Sequence, residues 1–547
     1  METNEHKDAG DKIRIETLKN PYLQGSKSLE TDSSNNLRLR IMQKIDDVPV
    51  PLALELSAGD VVALAGDYYT KAGWWSQLKT PNTARQNSEE NEQLLNARVT
   101  AIETDAFRQA YDNLASPSVT QQAIQRIYAI DESRLIPSLL KQLLYTVVVK
   151  DYGAKLSSNE DHFSPWSLRG YIVGHYSALR MAEIAFYCHK IAQGEIGKED
   201  GQIPKNVRNT LEKVLKKIEK DPGKYELREK NEKEILSELG HRYHALALAR
   251  DLFAMHFYSD HFAGGHLSRL GTMREQLPRE FGVWGSILVN NMHNEDNEKG
   301  VMVTNSFQPP HSEEGHFQML KEDCKAYGDG TYFNHGNDEN SNLLINGMDN
   351  SLGDIARLMI TGERRRSFDY GGITFLPAID YSKRQTQPLF ILGPDQRIYF
   401  RSNLQQIKIV SPGEYEKTTQ DPSHYGYEKL TPWKAFLLVL KLRILAPFYA
   451  SKVEPLTQKR CIEIQEDEKL CTDKMRLQLA LRRQPNLTSV SARETKPLKI
   501  GQWRHNSIPT HSIIAEYGLL AQGNKKQLIN KPKEISHPMD LKATSFF

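Results

Sequence analysis

Residues 251–266 read DLFAMHFYSDHFAGGH, three histidines and two aspartates set among Leu, Phe, Ala and Met. His256 and Asp260 are four apart, so a helix puts them on one face. Burying an unpaired aspartate in an apolar run is costly. A dication on that face resolves the conflict, because Zn²⁺ takes imidazole nitrogen and carboxylate oxygen at about 2.0–2.2 Å. Gly264 and Gly265 can bend the chain, so that His266 returns towards the same site. The pattern H-x3-D-x5-H therefore predicts a helix that ends at a metal centre. His261, directly after Asp260, is read as pointing elsewhere. His241 and His244, upstream on the same helix, are read as structural.

Further ligand candidates lie on either side. Twelve of the seventeen histidines fall between 162 and 335, which selects where to look. NEDHFSPWSLRGYIVGH (159–175) offers Asp161, His162 and His175. NNMHNEDNEKG (290–300) offers His293 with Glu295, Asp296 and Asn297. ALAGDYY (63–69) and AYGDG (326–330) each set an aspartate behind a glycine, at Asp67 and Asp329. A turn or a helix N-cap explains such pairs equally well. The set exceeds the four ligands of one tetrahedral zinc, so a cluster of two or three ions fits the count.

The pattern from about 100 to 290 is mostly helical, with apolar residues at helical spacing in 121–130, 136–149 and 167–192 and a long helix over 233–258. Residues 1–36 are polar and read as flexible. The block 49–75 reads as loops and helix starts, because Gly-Asp pairs interrupt its hydrophobic runs. After 300 the texture changes. Residues 370–381 and 388–402 look like strands with a Gly-Pro turn, and 431–450 opens with Thr431 as N-cap and Pro432 at the first helical position. These readings give a mainly α fold: a flexible 1–36, a helical metal-dependent catalytic domain over 37–365, a mixed α/β region over 366–483, and a polar tail over 484–547.

Composition bounds the partners. The chain has 547 residues, 39% hydrophobic and 26% charged. Lys plus Arg (71) nearly balances Asp plus Glu (69), so bulk charge implies no nucleic-acid partner. Four scattered cysteines build no disulfide framework. The first twenty residues contain no apolar signal-peptide core, and no run reaches the roughly 18–20 apolar residues that span a bilayer. A soluble protein that leaves its cell without a signal peptide is expected. Trp433, Phe436 and the leucines of 433–450 could contact lipid, with Lys434, Lys441 and Arg443 at phosphate level. A buried core helix with snorkelling cations is the plainer explanation.

Taken together, the blocks LSAGDVVALAGDYY, DHFSPWSLRGYIVGH, HFYSDHFAGGHLSRL, MHNEDNEKGVMVTN and AYGDG resemble the zinc-dependent phospholipase C family, in the branch found in Legionella and Pseudomonas fluorescens. The blocks span roughly residues 55–330, and their order matches as well as their content. The resemblance implies one zinc on Asp161, His175, His256 and Asp260, with Asp260 bridging to another ion. It implies a second on His266, His293 and an acidic residue of HNEDN. The family pattern expects a carboxylate four residues after the histidine, where this chain has Asn297, so Asp296 or Glu295 must substitute. A third ion would fall to Asp67 or His162. The implied reaction is hydrolysis of glycerophospholipids to diacylglycerol and a phosphorylated headgroup by activated water, with Asp161, Asp67 or Glu295 as proton acceptor. It also implies delivery as an injected effector that acts on host membranes, with the tail as export signal. Two alternatives remain: a single-strand-specific zinc nuclease, which shares the ligand spacing, and a non-catalytic, metal-stabilised membrane-binding module.

Overall fold

Asn231 opens the helix that the histidine-rich stretch closes. Its side chain accepts from the Glu234 amide, and Glu234 accepts in return from the Asn231 amide at 2.8 Å, a reciprocal cap. The helix runs Glu232–Asp260 and is buried on every side from Arg242 onwards, so it forms the centre of the molecule. The computed structural model describes residues 2–14, 19–25, 36–66, 68–79, 97–133, 136, 138–305, 324–328, 330, 333 and 337–482. The chain is mainly α-helical, with short strands and a smaller mixed α/β region towards its C-terminus.

The elements around the centre, in chain order, are α1 (Thr3–Asp11), β1 (Arg38–Ile45), β2 (Val48–Ser57), α2 (Ala58–Leu64), α3 (Trp166–Gln193), α4 (Glu232–Asp260), α5 (Ser268–Lys299), β3 (Val301–Asn305), α6 (Asp338–Thr361), β4 (Pro377–Ile379), β5 (Ile398–Arg401) and α7 (Pro432–Val439). α3 and α4 are the main helix pair. They approach closely at Gly174, where a Cβ would lie 2.4 Å from that of Ala254. Arg169 of α3 is buried and binds Glu103 through Nε at 2.7 Å and a terminal nitrogen at 2.9 Å, a fork that fixes α3 against the helix Ala101–Leu114.

The N-terminal third departs from expectation in two ways. Residues 3–11, read as flexible, form α1, which packs so tightly on α2 that a Cβ at Gly10 would lie 2.6 Å from the Gly59 Cα. Residues 48–57, read as loop or helix start, form β2 in an antiparallel hairpin with β1. The buried alternation of Val48, Val50, Leu52, Leu54 and Leu56 accounts for it. Ser57 then accepts from the Asp60 amide and starts α2.

No break between cores occurs near 365. β3 pairs antiparallel with β4 across that point, in the register Val303↔Ile379 and Thr304↔Ala378. A second apolar core joins Leu270, Met273, Leu277 and Leu288 of α5 to Phe390, Phe400 and Leu438. Residues 366–482 are therefore built into the helical body rather than set beside it. Of the two stretches expected as strands, 388–402 contains Phe390–Leu392 and β5, joined through the Gly393–Pro394 turn with the Gly393 amide on the Arg397 carbonyl at 2.9 Å, whereas 370–381 forms a 3-10 turn at Ile373–Phe375 and is extended in β4 alone. Thr431 and Pro432 start α7 as their residue types require, but α7 stops at Val439 and gives way to a wider π-helical turn over Leu440–Ile444. Among the described residues, no helix is long and apolar enough to cross a membrane. The tail 484–547 lies outside the described residues.

Candidate metal centre

α4 delivers His256 and Asp260 one turn apart. The His256 Nδ1 donates to the Val62 carbonyl at 2.8 Å, which fixes the ring and leaves Nε2 facing inwards. Nothing larger than glycine fits above that ring: a Cβ on Gly66 would come within 1.9 Å of Nε2. Asp260 is fully buried at the middle of a ring of imidazoles. Its Oδ1 lies 3.3 Å from His6 Nε2 and 3.2 Å from His266 Nδ1. Its Oδ2 lies 2.7 Å from His162 Nδ1 and 3.4 Å from His256 Nε2.

Each further histidine has its own positioning device. His162 ends a short 3-10 turn, Glu160–His162, just ahead of α3. His266 ends a second 3-10 turn, Gly264–His266, reached through the two glycines. A Cβ on Gly264 would strike the Ala326 carbonyl at 2.5 Å, and one on Gly265 the His293 carbonyl at 2.6 Å. The bend that returns His266 thus needs both glycines. His266 stacks on Phe163 with ring centres 4.9 Å apart, and its Nδ1 also meets the His162 carbonyl at 2.9 Å. His293, from α5, lies 4.8 Å from the His266 ring. Asn297, one turn on, sits 3.1 Å from His293 Nε2 through its amide nitrogen, and its oxygen accepts from the Gly265 amide at 2.6 Å. The residue at the expected carboxylate position is thus a neutral amide that joins His293 to the glycine bend.

His6 is the member that the sequence reading missed. It stands on α1, its ring 4.1 Å from that of His256, and its Nδ1 meets the Ser259 hydroxyl at 2.8 Å. A signal existed: His6, Ala9, Gly10 and Ile13 repeat at i, i+3, i+4, i+7 and are all buried. His6, His256 and Asp260 bring their donor atoms within 4.8 Å of one another, and this buried trio could hold a metal ion.

The electrostatics suit a cation. Burial would raise the Asp260 carboxyl, but positive charge from the chain's terminal amine, and then from His266, His162 and His6 when they are protonated, holds it well below the usual range. Burial lowers His256 well below its ordinary value and His266 to about 4. Both imidazoles are therefore neutral near pH 7 with lone pairs to donate. A buried carboxylate needs positive charge beside it, and a metal cation held by the same imidazoles would supply it. The donor set thus fits a divalent metal.

Three expected site residues do different work. His175 is fully buried away from the centre, with Nδ1 at 2.7 Å from Asp251 and Nε2 at 3.3 Å from Asp354. Asp251 precedes Asp260 by nine residues on α4, a rise of about 14 Å, so His175 is out of reach. Asp296 is taken by Arg269, whose Nε donates at 2.8 Å. Both oxygens of Glu295 accept from Arg401, at 2.9 and 2.8 Å, which removes it as a proton acceptor. His261 faces the Ser167 hydroxyl at 3.3 Å, away from the cluster as expected. Asp161 precedes His162 in the chain and lies within electrostatic reach of it. It accepts from the Trp74 indole nitrogen at 2.5 Å, and burial raises its carboxyl to about 6. Asp67 and Asp329 lie outside the described residues. His241 and His244 belong to a separate group, with His244 Nδ1 3.2 Å from Asn20, in keeping with a structural role. No protein-family model, curated protein or solved structure matches this chain.

Proposed function

We propose that this chain is a zinc-dependent phospholipase C that hydrolyses glycerophospholipids, phosphatidylcholine first, to diacylglycerol and a phosphorylated headgroup. The observation that carries the proposal is Asp260, whose two oxygens each face two imidazoles from separate segments of the chain. A carboxylate so placed can serve two cations at once. His6 and His256 would hold one ion with Asp260, while His162 and His266 would supply donors for a second, joined by His293 when its Nε2 leaves the Asn297 amide. Bound zinc would neutralise the phosphodiester and lower the pKa of water towards about 7.

The chain's own residues would do the rest. Asp161, raised to about 6 by burial and held by the Trp74 indole, is suited to accept the proton of the attacking water near neutral pH. Asn297 orients His293 without adding charge, so the second ion would keep more of its positive charge for the phosphate. The Phe163 ring against His266 excludes water from one side of the centre. The effector role and host-membrane site of action belong to the same proposal, with the tail as export signal.

Metal analysis paired with hydrolysis of phosphatidylcholine vesicles, with and without a chelator, tests the proposal. Zinc-dependent release of phosphocholine supports it. Cleavage of single-stranded DNA without lipid hydrolysis would replace it with a nuclease, and bound zinc without turnover on either substrate with a binding module.

A further inference from the structure

Exposed apolar side chains are normal when scattered, and informative when gathered. Half of the large exposed apolar residues among the described ones lie in two short segments, 283–284 and 433–448, including every exposed Trp and Phe. The two segments meet. Trp284, just past the kink that Gly282 makes in α5, lies 5.4 Å from the Phe436 ring of α7, and Trp433 lies 5.5 Å from the same ring. Trp433 is 67% exposed, an unusual waste for the largest apolar side chain. The π-helical turn that ends α7 then turns out Ile444 and Phe448, 70% and 73% exposed. Arg443 bonds the Asn290 side chain and ties this turn to α5.

Charge accompanies the apolar face. Residues 431–453 carry Lys434, Lys441, Arg443 and Lys452 with no Asp or Glu, and residues 281–294 carry no Asp or Glu either. Lys434 is paired with Glu428 at 2.7 Å, which leaves Lys441 and Arg443 as the cations closest to the apolar turn. Aromatic side chains edged by cations, with the nearby Glu428 paired to Lys434, match a bilayer interface containing anionic lipid.

Trp284 and His293 stand nine residues apart on α5, a rise of about 14 Å, so the same helix carries residues of the apolar face and of the histidine cluster.

We propose that Trp284, Trp433, Phe436, Ile444 and Phe448 form an interfacial docking face for a phospholipid bilayer, with Lys441 and Arg443 at the level of lipid phosphates. The purpose of the face rests on the phospholipase reading; its binding does not. The experiment uses the full chain and vesicles of phosphatidylcholine with and without phosphatidylserine, in the presence of chelator so that no lipid is consumed. Wild type should sediment with vesicles, more strongly with phosphatidylserine, and brominated acyl chains should quench its tryptophan emission. Trp433→Glu with Phe448→Glu should weaken vesicle binding by roughly tenfold or more. The same variant should hydrolyse a short-chain, monomeric phosphatidylcholine at the wild-type rate, which shows that it folds. Vesicle binding unchanged by the double substitution would overturn the proposal. So would unquenched emission in a chain that forms dimers which the substitution breaks, since the face would then join two copies. Failure of every lipid to be hydrolysed, with vesicle binding intact and lost in the variant, would sink the phospholipase reading alone.

Discussion

Replacing His6 by Ala probes a proposed ligand that no motif announced. The substitution removes the imidazole 3.3 Å from Asp260 Oδ1 and the ring 4.1 Å from His256, but leaves the Gly10–Gly59 contact that seats α1. Changing a group that merely orients a metal ligand costs about 10–100-fold in metal affinity. Loss of a direct ligand should cost at least that, or about 1.4–2.8 kcal/mol of binding at tenfold per 1.4 kcal/mol. Asp260 would also lose one of its four imidazole neighbours, which should lower stability without metal only modestly. Zinc retention is measured by competition with a chromophoric chelator on folded protein, beside a His244→Ala control that lies outside the cluster. His6→Ala should surrender one zinc at a chelator concentration at least tenfold lower than wild type. Equal retention in the two variants, with normal melting, would refute the assignment of His6 and with it the role of α1 in the centre.

Other perturbations separate the site from its scaffold. Asp161→Asn should lower kcat at least a hundredfold with little change in bound zinc; because the carboxylate acts when deprotonated, wild-type activity should fall as pH drops through about 6, and a wild-type profile without that limb would remove Asp161 as base. His256→Ala should lose zinc and activity together, whereas His261→Ala, which faces Ser167, should keep both; equal losses would mean the wrong face of the bend was assigned. Arg401→Ala strands Glu295 and should destabilise the fold by about 3–5 kcal/mol while sparing activity per folded molecule, checked by denaturant titration beside specific activity. His175 carries a linked effect. Burial lowers its pKa, but Asp251 and Asp354 more than reverse this, to about 9 from an ordinary 6.5. A raised pKa stabilises the fold fully below about 6.5, and the contribution, roughly 3 kcal/mol, is lost as pH rises through about 9. The gap in melting temperature between wild type and His175→Asn should therefore narrow over that range, and a constant gap would contradict the ion pair.

What could be read in advance was local. Helix α4 and the placing of His256 and Asp260 at its end follow from an apolar run and a four-residue spacing, all within one segment. The glycine bend was legible for the same reason, since only glycine tolerates the contacts with Ala326 and His293. His175 misled because spacing along the chain says nothing about axial distance once a helix begins: α3 carries it away from His162. Asp296 and Glu295 were lost to arginines 27 residues upstream and 106 downstream, partners that periodicity cannot supply. Polar composition hid α1, although its buried stripe was present. The strand at 48–57 was masked by nearby Gly-Asp pairs, yet its alternation was there to count. Nothing in the local pattern at 365 could show that β3 and β4 pair across it.

The most direct measurement compares wild type and Asp260→Ala for zinc content and phosphatidylcholine hydrolysis in one preparation. Among the described residues Asp260 is the carboxylate whose two oxygens each face two imidazoles, so on the proposed two-ion reading its loss should empty more than one zinc position and abolish hydrolysis, and added zinc should not restore either. Wild type should lose activity to chelator and regain it with zinc. An Asp260→Ala protein that folds, keeps its zinc and releases phosphocholine at the wild-type rate would contradict the account.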